Sequence, residues 1–174
     1  SPNEIFIVRN IGNQFRNSEG SIKYSLLHLH TPLLIVMGHT GCGAIKASLG
    51  DYRTEDDTIQ REVIGLVNSI RFANELTDMS KIKDENMKLA LYAQVNVDHQ
   101  INKITSEYNI KSKIVKGELF VVGMMFDIHG IYGEKSAHVY ITNINGIKDV
   151  EKIKKHDLAV EVSLELSGMK FKRL

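Results

Sequence analysis

"LLIVMGHTGCGAIKASL", residues 33–49, decides how the fold is read. Residues 33–37 are five apolar side chains without a polar break, as in a strand covered on both faces. Gly38 ends that run. A glycine-rich turn carrying His39 and Cys42 follows, and residues 44–49 read as a short helix. Strand, tight turn and helix in that order begin a βαβ unit, the building block of parallel sheets.

The flanking chain continues the alternation. Residues 4–9, "EIFIVR", are β-branched and aromatic and predict a buried strand. An Asn- and Gly-bearing loop over 10–20 leads to a predicted helix over 21–30, with Ser21 as its N-cap and Thr31-Pro32 as its stop. A helix over 58–76 places Ile59, Val63, Leu66, Val67, Ile70 and Ala73 on one face. A second, over 85–108, turns Met87, Leu91, Val95, Ile101 and Ile104 inward. "LFVVGMMFDI", 119–128, predicts a third strand, 137–144 a fourth, and 147–156 a helix. Residues 158–166 alternate apolar and polar, which predicts a last strand. The class is therefore α/β: a mostly parallel central sheet flanked by helices, in a single domain over 1–174. Such sheets bind ligands at the C-terminal ends of their strands, where residues 38–43 fall.

Composition narrows the function. A formal net charge of +1 at pH 7 with 25% charged residues gives no field to attract nucleic acid or a membrane surface. The longest apolar runs, 33–37 and 119–126, are too short to span a bilayer, and no signal-peptide pattern is present. A single cysteine excludes an internal disulfide, so a reducing, cytoplasmic location is expected. The charged run 152–155 reads as a solvated helix face.

The His-Cys turn is where chemistry could sit. Gly38 and Gly43 have the spacing of a phosphate loop, but Ala44 and Ile45 stand where Lys and Ser/Thr are needed. The glycine spacing also fails a dinucleotide fingerprint, and no arginine follows Cys42 as a Cys-based phosphatase loop requires. Two readings remain beside a plain buried thiol next to a hydrogen-bonded histidine. A helix N-terminus favours a thiolate, which serves a nucleophile with His39 as base, or a zinc site with His39 and Cys42 as ligands. Asp127 and His129, at the end of the third strand, share that sheet edge. They cap the next turn or reach a metal. His28 and His30 read as surface groups, and Asp98 and His99 as solvated or interface groups.

"VMGHTGCGAIKA" resembles the second metal motif of the β-class carbonic anhydrases, G-H-T-x-C-G-A. "IFIVRNIGN" is similar to the family's strand and loop ending R-N-A-G-N, with Ile11 in place of alanine. "SIKYSL", "NVDHQI" and "LFVVGMMFDIHGI" resemble the S-L-E-Y-A helix, the N-V-x-x-Q helix and the late strand ending Y-D-x-x-T-G. These matches keep the family's order and cover residues 4–133.

The resemblance implies a zinc-dependent lyase (a carbonate dehydratase) in which a zinc-bound hydroxide converts carbon dioxide to bicarbonate. His39 and Cys42 map onto two of its three protein ligands, and Asn10, Gly12 and Gly43 onto the shell of the site. It also implies a homodimer or a dimer-based oligomer, to which residues 134–174, beyond the resemblance, would add a contact. The family's third ligand and an Asp-Arg pair come from an upstream C-x-D-x-R motif that these residues do not contain. No catalytic residue is therefore assigned. The missing strand and ligand are expected from a longer polypeptide, before a partner subunit or a degenerate, zinc-poor relative. A non-catalytic zinc- or bicarbonate-binding subunit and a hydrolase of a similar molecule such as carbon disulfide are the alternative functions.

Overall fold

A computed structural model describes residues 5–133, 137–165 and 170–174, with side chains of 162–165 left aside. Its order is α1 (Glu19–Leu27), β1 (Leu33–His39), α2 (Gly43–Leu49), α3 (Asp57–Leu76), α4 (Glu85–Thr105), α5 (Tyr108–Val115), β2 (Phe120–Asp127), β3 (His138–Ile144), α6 (Val150–Lys154), α7 (Asp157–Glu165) and β4 (Lys170–Phe171). Short 3-10 turns at Ile11–Asn13 and Arg16–Ser18 shape the loop before α1. The sheet order is β1-β2-β3-β4. β1 runs parallel to β2 in the register Leu33 to Phe120 through His39 to Phe126, and β4 runs parallel to β3. β3 is antiparallel to β2, because the connection 128–137 is shorter than the dozen or more residues of a parallel crossover.

α4 is the centre of the packing. It lies between α3 and the sheet, and Val95, Val97, Ile101 and Ile104 are buried with Val36, Val121 and Met125 in one core. Four of its polar residues, Gln94, Asn96, Asp98 and Gln100, are buried too, each with a partner. Asn96 Nδ2 donates to Gly12 O at 2.9 Å, and Gln100 Oε1 accepts from Phe15 N at 3.0 Å. Asn96 and Gln100 thus hold the loop 10–15 against α4, with Gln100 Nε2 and Ser69 Oγ both donating to Asn96 Oδ1. Asp98 is buried and accepts from both guanidinium nitrogens of Arg173 and from Asn143 Nδ2. A helix whose polar face meets the chain termini rather than water explains why an amphipathic reading understates its burial.

Several expectations need correction. Residues 5–9 form no ladder, and Ile5 and Ile7 are each 72% exposed; Glu4 lies outside the described residues. A strand needs a neighbour, and none of the described residues supplies one there. β1 is present but is an edge strand. Leu33, Ile35 and Met37 are exposed while Val36 and Gly38 face the core, so the continuous apolar run is not covered on both faces. Ser21 lies inside α1, whose N-cap position is Ser18. The long helix stops at Thr105, and Glu107 then starts α5 while pairing with Arg16 and Lys23. Residues 158–165 are helical rather than extended, and Leu166 lies outside the described residues. Asp157, Glu161 and Glu165 recur every fourth residue, a helical period that coexists with the alternation. Ala159 buries against the Val122 and Met124 face of the sheet, and the outer edge of β3 is taken by β4.

Candidate metal centre

His39 is the last residue of β1 and Cys42 is the N-cap of α2, so one strand-to-helix turn presents both donors. The imidazole is partly buried, with Nδ1 3.0 Å from Thr40 O. A carbonyl only accepts, so Nδ1 carries the proton and Nε2 keeps its lone pair for a ligand. Cys42 is a free thiol and is buried. Gly41, between them, sits at φ +70°, and a Cβ there would come 2.5 Å from His129 Cε1. Glycine is required twice over at this position, by backbone conformation and by the ring lying against it.

Thr40 joins the turn to the end of β2. Its backbone N–H donates to Phe126 O at 3.0 Å and its buried hydroxyl donates to Asp127 Oδ1 at 3.3 Å. The same hydroxyl oxygen accepts from Ile128 N at 2.9 Å and lies 3.0 Å from His129 Nδ1. Asp127, fully buried, also accepts from the N–H groups of His129, Ile131 and Tyr132. Those bonds occupy the carboxylate as the cap of a turn, one of the two roles its sequence position allows. Tyr132 in turn donates its hydroxyl to Gln94 Oε1 at 3.1 Å, and burial pushes its phenol well above the ordinary range.

Asn10, Gly12 and Gly43 were the positions expected around the site. Asn10 closes its own loop, donating to Gln14 O and Ser18 Oγ and accepting from Gln14 N. Gly12 has φ +72° and lies where a Cβ would come 2.7 Å from both Leu66 methyl carbons. Gly43 opens α2 with free space around its Cα. His28 and His30 are exposed, as expected. Thr40 and Arg173 were not singled out in the sequence, and Asp98, expected to be solvated or at an interface, is instead buried and paired with Arg173. Thr40 stands in the quoted turn between the two donors, which was its only signal. The pair is separated by 75 positions and has no local signal.

Among the described residues no group of three or more His, Cys, Asp or Glu side chains is placed to hold a metal ion. His39 and Cys42 suit zinc in donor type, an imidazole nitrogen and a thiol sulfur, and amount to two of the four positions zinc fills.

A family model described as carbonic anhydrase matches residues 1–132. The carbonic anhydrase of Saccharomyces cerevisiae is 25% identical over 157 residues, covering 81% of this chain and 67% of that protein. That of Candida albicans is 30% identical over 131 residues, covering 73% and 46%. The chain therefore spans about half to two thirds of the length of these relatives. Among solved structures, a tetrameric β-carbonic anhydrase from Sordaria macrospora superposes with a TM-score of 0.68 at 25% identity, covering 81% of this chain and 69% of that one. The Coccomyxa β-carbonic anhydrase in complex with acetazolamide covers 96% of this chain and 74% of its own, with a TM-score of 0.65 at 19% identity, a likeness of fold.

Proposed function

Because this chain belongs to the carbonic anhydrase family, in its β class, we propose that the protein catalyses reversible hydration of carbon dioxide to bicarbonate, with His39 and Cys42 as two protein ligands to zinc. The observation that carries the reading is the turn itself. His39 Nδ1 is committed to a carbonyl, which leaves Nε2 as the donor, and Cys42 stands free three residues on at the start of α2. Zinc bound there supplies Lewis acidity that brings the pKa of a coordinated water to about 7. The chain's own part is to hold the two donors still, through Thr40 and Asp127, at the C-terminal end of β1. By the same reading the family's C-x-D-x-R motif, which these residues do not contain, would supply the third ligand. The lack of a third donor group among the described residues supports this reading. We further read the protein as cytoplasmic and as a homodimer or dimer-based oligomer to which residues 134–174 contribute. No helix among the described residues is long and apolar enough to cross a membrane.

The donor count also favours a second reading, a zinc- or bicarbonate-binding subunit without turnover. Native mass spectrometry of the protein purified from its own cells, with stopped-flow hydration assays, separates the two. We expect one zinc per chain in an assembly of two or more chains. Cys42→Ser then removes the zinc and lowers hydration by at least about 100-fold, beyond the 10- to 100-fold that follows loss of an outer-shell partner. A zinc content well below one per chain with no hydration overturns the enzyme reading and leaves the second.

A further inference from the structure

A groove of about 310 Å³ runs between the second halves of α3 and α4, lined by Asn68, Arg71, Phe72, Glu75, His99 and Lys103. None of these residues belongs to the His39–Cys42 turn. On α3 they recur at three- and four-residue steps, and on α4 at a four-residue step, so each helix presents one face to the groove. Three features of the groove are incomplete as they stand. His99 Nε2 is buried and has no hydrogen-bond partner among the described residues. Lys103 is partly buried, and its ammonium is disfavoured by that burial and then by the Arg16 guanidinium, another cation. Neither Lys103 nor Arg71 forms an ion pair among the described residues, although both line the groove with a single carboxylate, Glu75.

Two cations, Arg71 and Lys103, that form no ion pair among the described residues and line one groove with an imidazole whose Nε2 has no partner are a set of donors waiting for an acceptor. The acceptor must be anionic, and it must offer several oxygens to meet a guanidinium fork, an ammonium and an imidazole N–H together. A phosphate group has that charge and that number of oxygens. The groove is larger than phosphate alone, and the Phe72 ring, 6.1 Å from the His99 ring centroid, gives it an apolar wall. We propose that the α3–α4 groove is a binding site for the phosphate group of a small phosphomonoester, held by Arg71, Lys103 and His99, with Phe72 against the organic part.

The test uses the whole chain, labelled with ¹⁵N and with ¹³C at histidine, titrated with sodium phosphate and with phenyl phosphate. Sodium chloride at matched ionic strength is the control, because screening alone also moves surface resonances. We expect saturable shifts confined to residues 68–75 and 99–103 and a higher His99 pKa in the bound state, since an adjacent anion favours imidazolium. Phenyl phosphate should bind severalfold more tightly than inorganic phosphate. Arg71→Ala combined with Lys103→Ala should weaken both by at least tenfold. Lys103→Gln, which keeps the apolar stem, should weaken them severalfold and serves if the double variant misfolds. Equal affinity for the two probes would assign the site to inorganic phosphate and overturn the role of Phe72. Shifts that match the chloride control, or that persist unchanged in the variants, would overturn the site. Zinc content and hydration are read separately, so failure here leaves the metal centre untouched.

Discussion

At the scale of single residues, Thr40 matters more than its size suggests. It is flanked by the donor His39 and by Gly41, and its hydroxyl bonds to the chain end of β2 in three directions. Thr40→Val keeps the shape and removes those bonds, leaving Ile128 N–H without its hydroxyl partner and Asp127 Oδ1 with only the N–H groups of His129 and Ile131. We expect a loss of about 1–3 kcal/mol in denaturant unfolding, the cost of an unsatisfied buried polar group. Zinc should also escape to a chelator faster than from the parent protein. Thr40→Ser, which restores the hydroxyl, should recover most of both; a Val variant as zinc-retentive as the parent would remove Thr40 from the positioning role. His99 gives a second prediction. Burial, and then the charge of Lys103, lowers its pKa below the ordinary 6.5. The unfolded chain therefore binds its proton first, and stability present above pH 6.5 is lost as pH falls through the folded value. Arg71 and Glu75 from α3 face the same groove. Urea midpoints measured from pH 7.5 to 5 should fall, and the fall should be shallower in His99→Gln.

At the scale of elements, the C-terminal segment shows what sequence could and could not reveal. β4 and the residues after it return to α4. Arg173 meets Asp98 through two nitrogens, at 3.1 and 2.6 Å, and Leu174 N donates to Gln94 Oε1 at 3.0 Å. Gln94 also holds the Tyr132 hydroxyl, so this tail reaches the turn that Asp127 caps. Removing one partner from a buried ion pair strands the other charge. Arg173→Met should therefore cost about 3–5 kcal/mol in thermal or denaturant unfolding, and Asp98→Leu with Arg173→Met together should cost less than the single change. A single variant within about 0.5 kcal/mol of the parent would mean the pair is solvated. The strand-turn-helix of β1 and α2 was legible because its signals are local: an apolar run, a glycine turn, two donors three residues apart. The burial of Asn96, Asp98 and Gln100 was not legible, because their partners lie 84, 75 and 85 positions away. For 158–165 the alternation and the four-residue acidic period compete within the same residues. What decides is that β4 occupies the neighbouring sheet edge, and a local pattern carries no record of that.

At the scale of the whole molecule, the sheet is open on one side. β1 is an edge, and among the described residues no strand pairs with its outer side. Ile35 and Met37 on this strand are 42% and 46% exposed. An unpaired edge with an apolar face invites another chain, and natural proteins blunt such edges with charge or cover them. Leu33 to Met37 carries no charge, and among the described residues nothing covers the outward side chains of Leu33, Ile35 and Met37. This 174-residue chain, produced by itself, is therefore expected to associate through this edge. Light scattering coupled to size exclusion should give a mass above 19.6 kDa at micromolar concentration. Burying an isoleucine side chain is worth about 1.5–3 kcal/mol, and about 1.4 kcal/mol is tenfold in affinity, so Ile35→Lys should weaken association by at least about tenfold. Lys103→Gln, in the groove between α3 and α4, should leave it unchanged. A parent chain that stays monomeric at these concentrations, or an Ile35→Lys variant that associates as strongly as the parent, would show that the open edge does not drive assembly. Pairing through another face, such as residues 134–174, would then have to account for any oligomer.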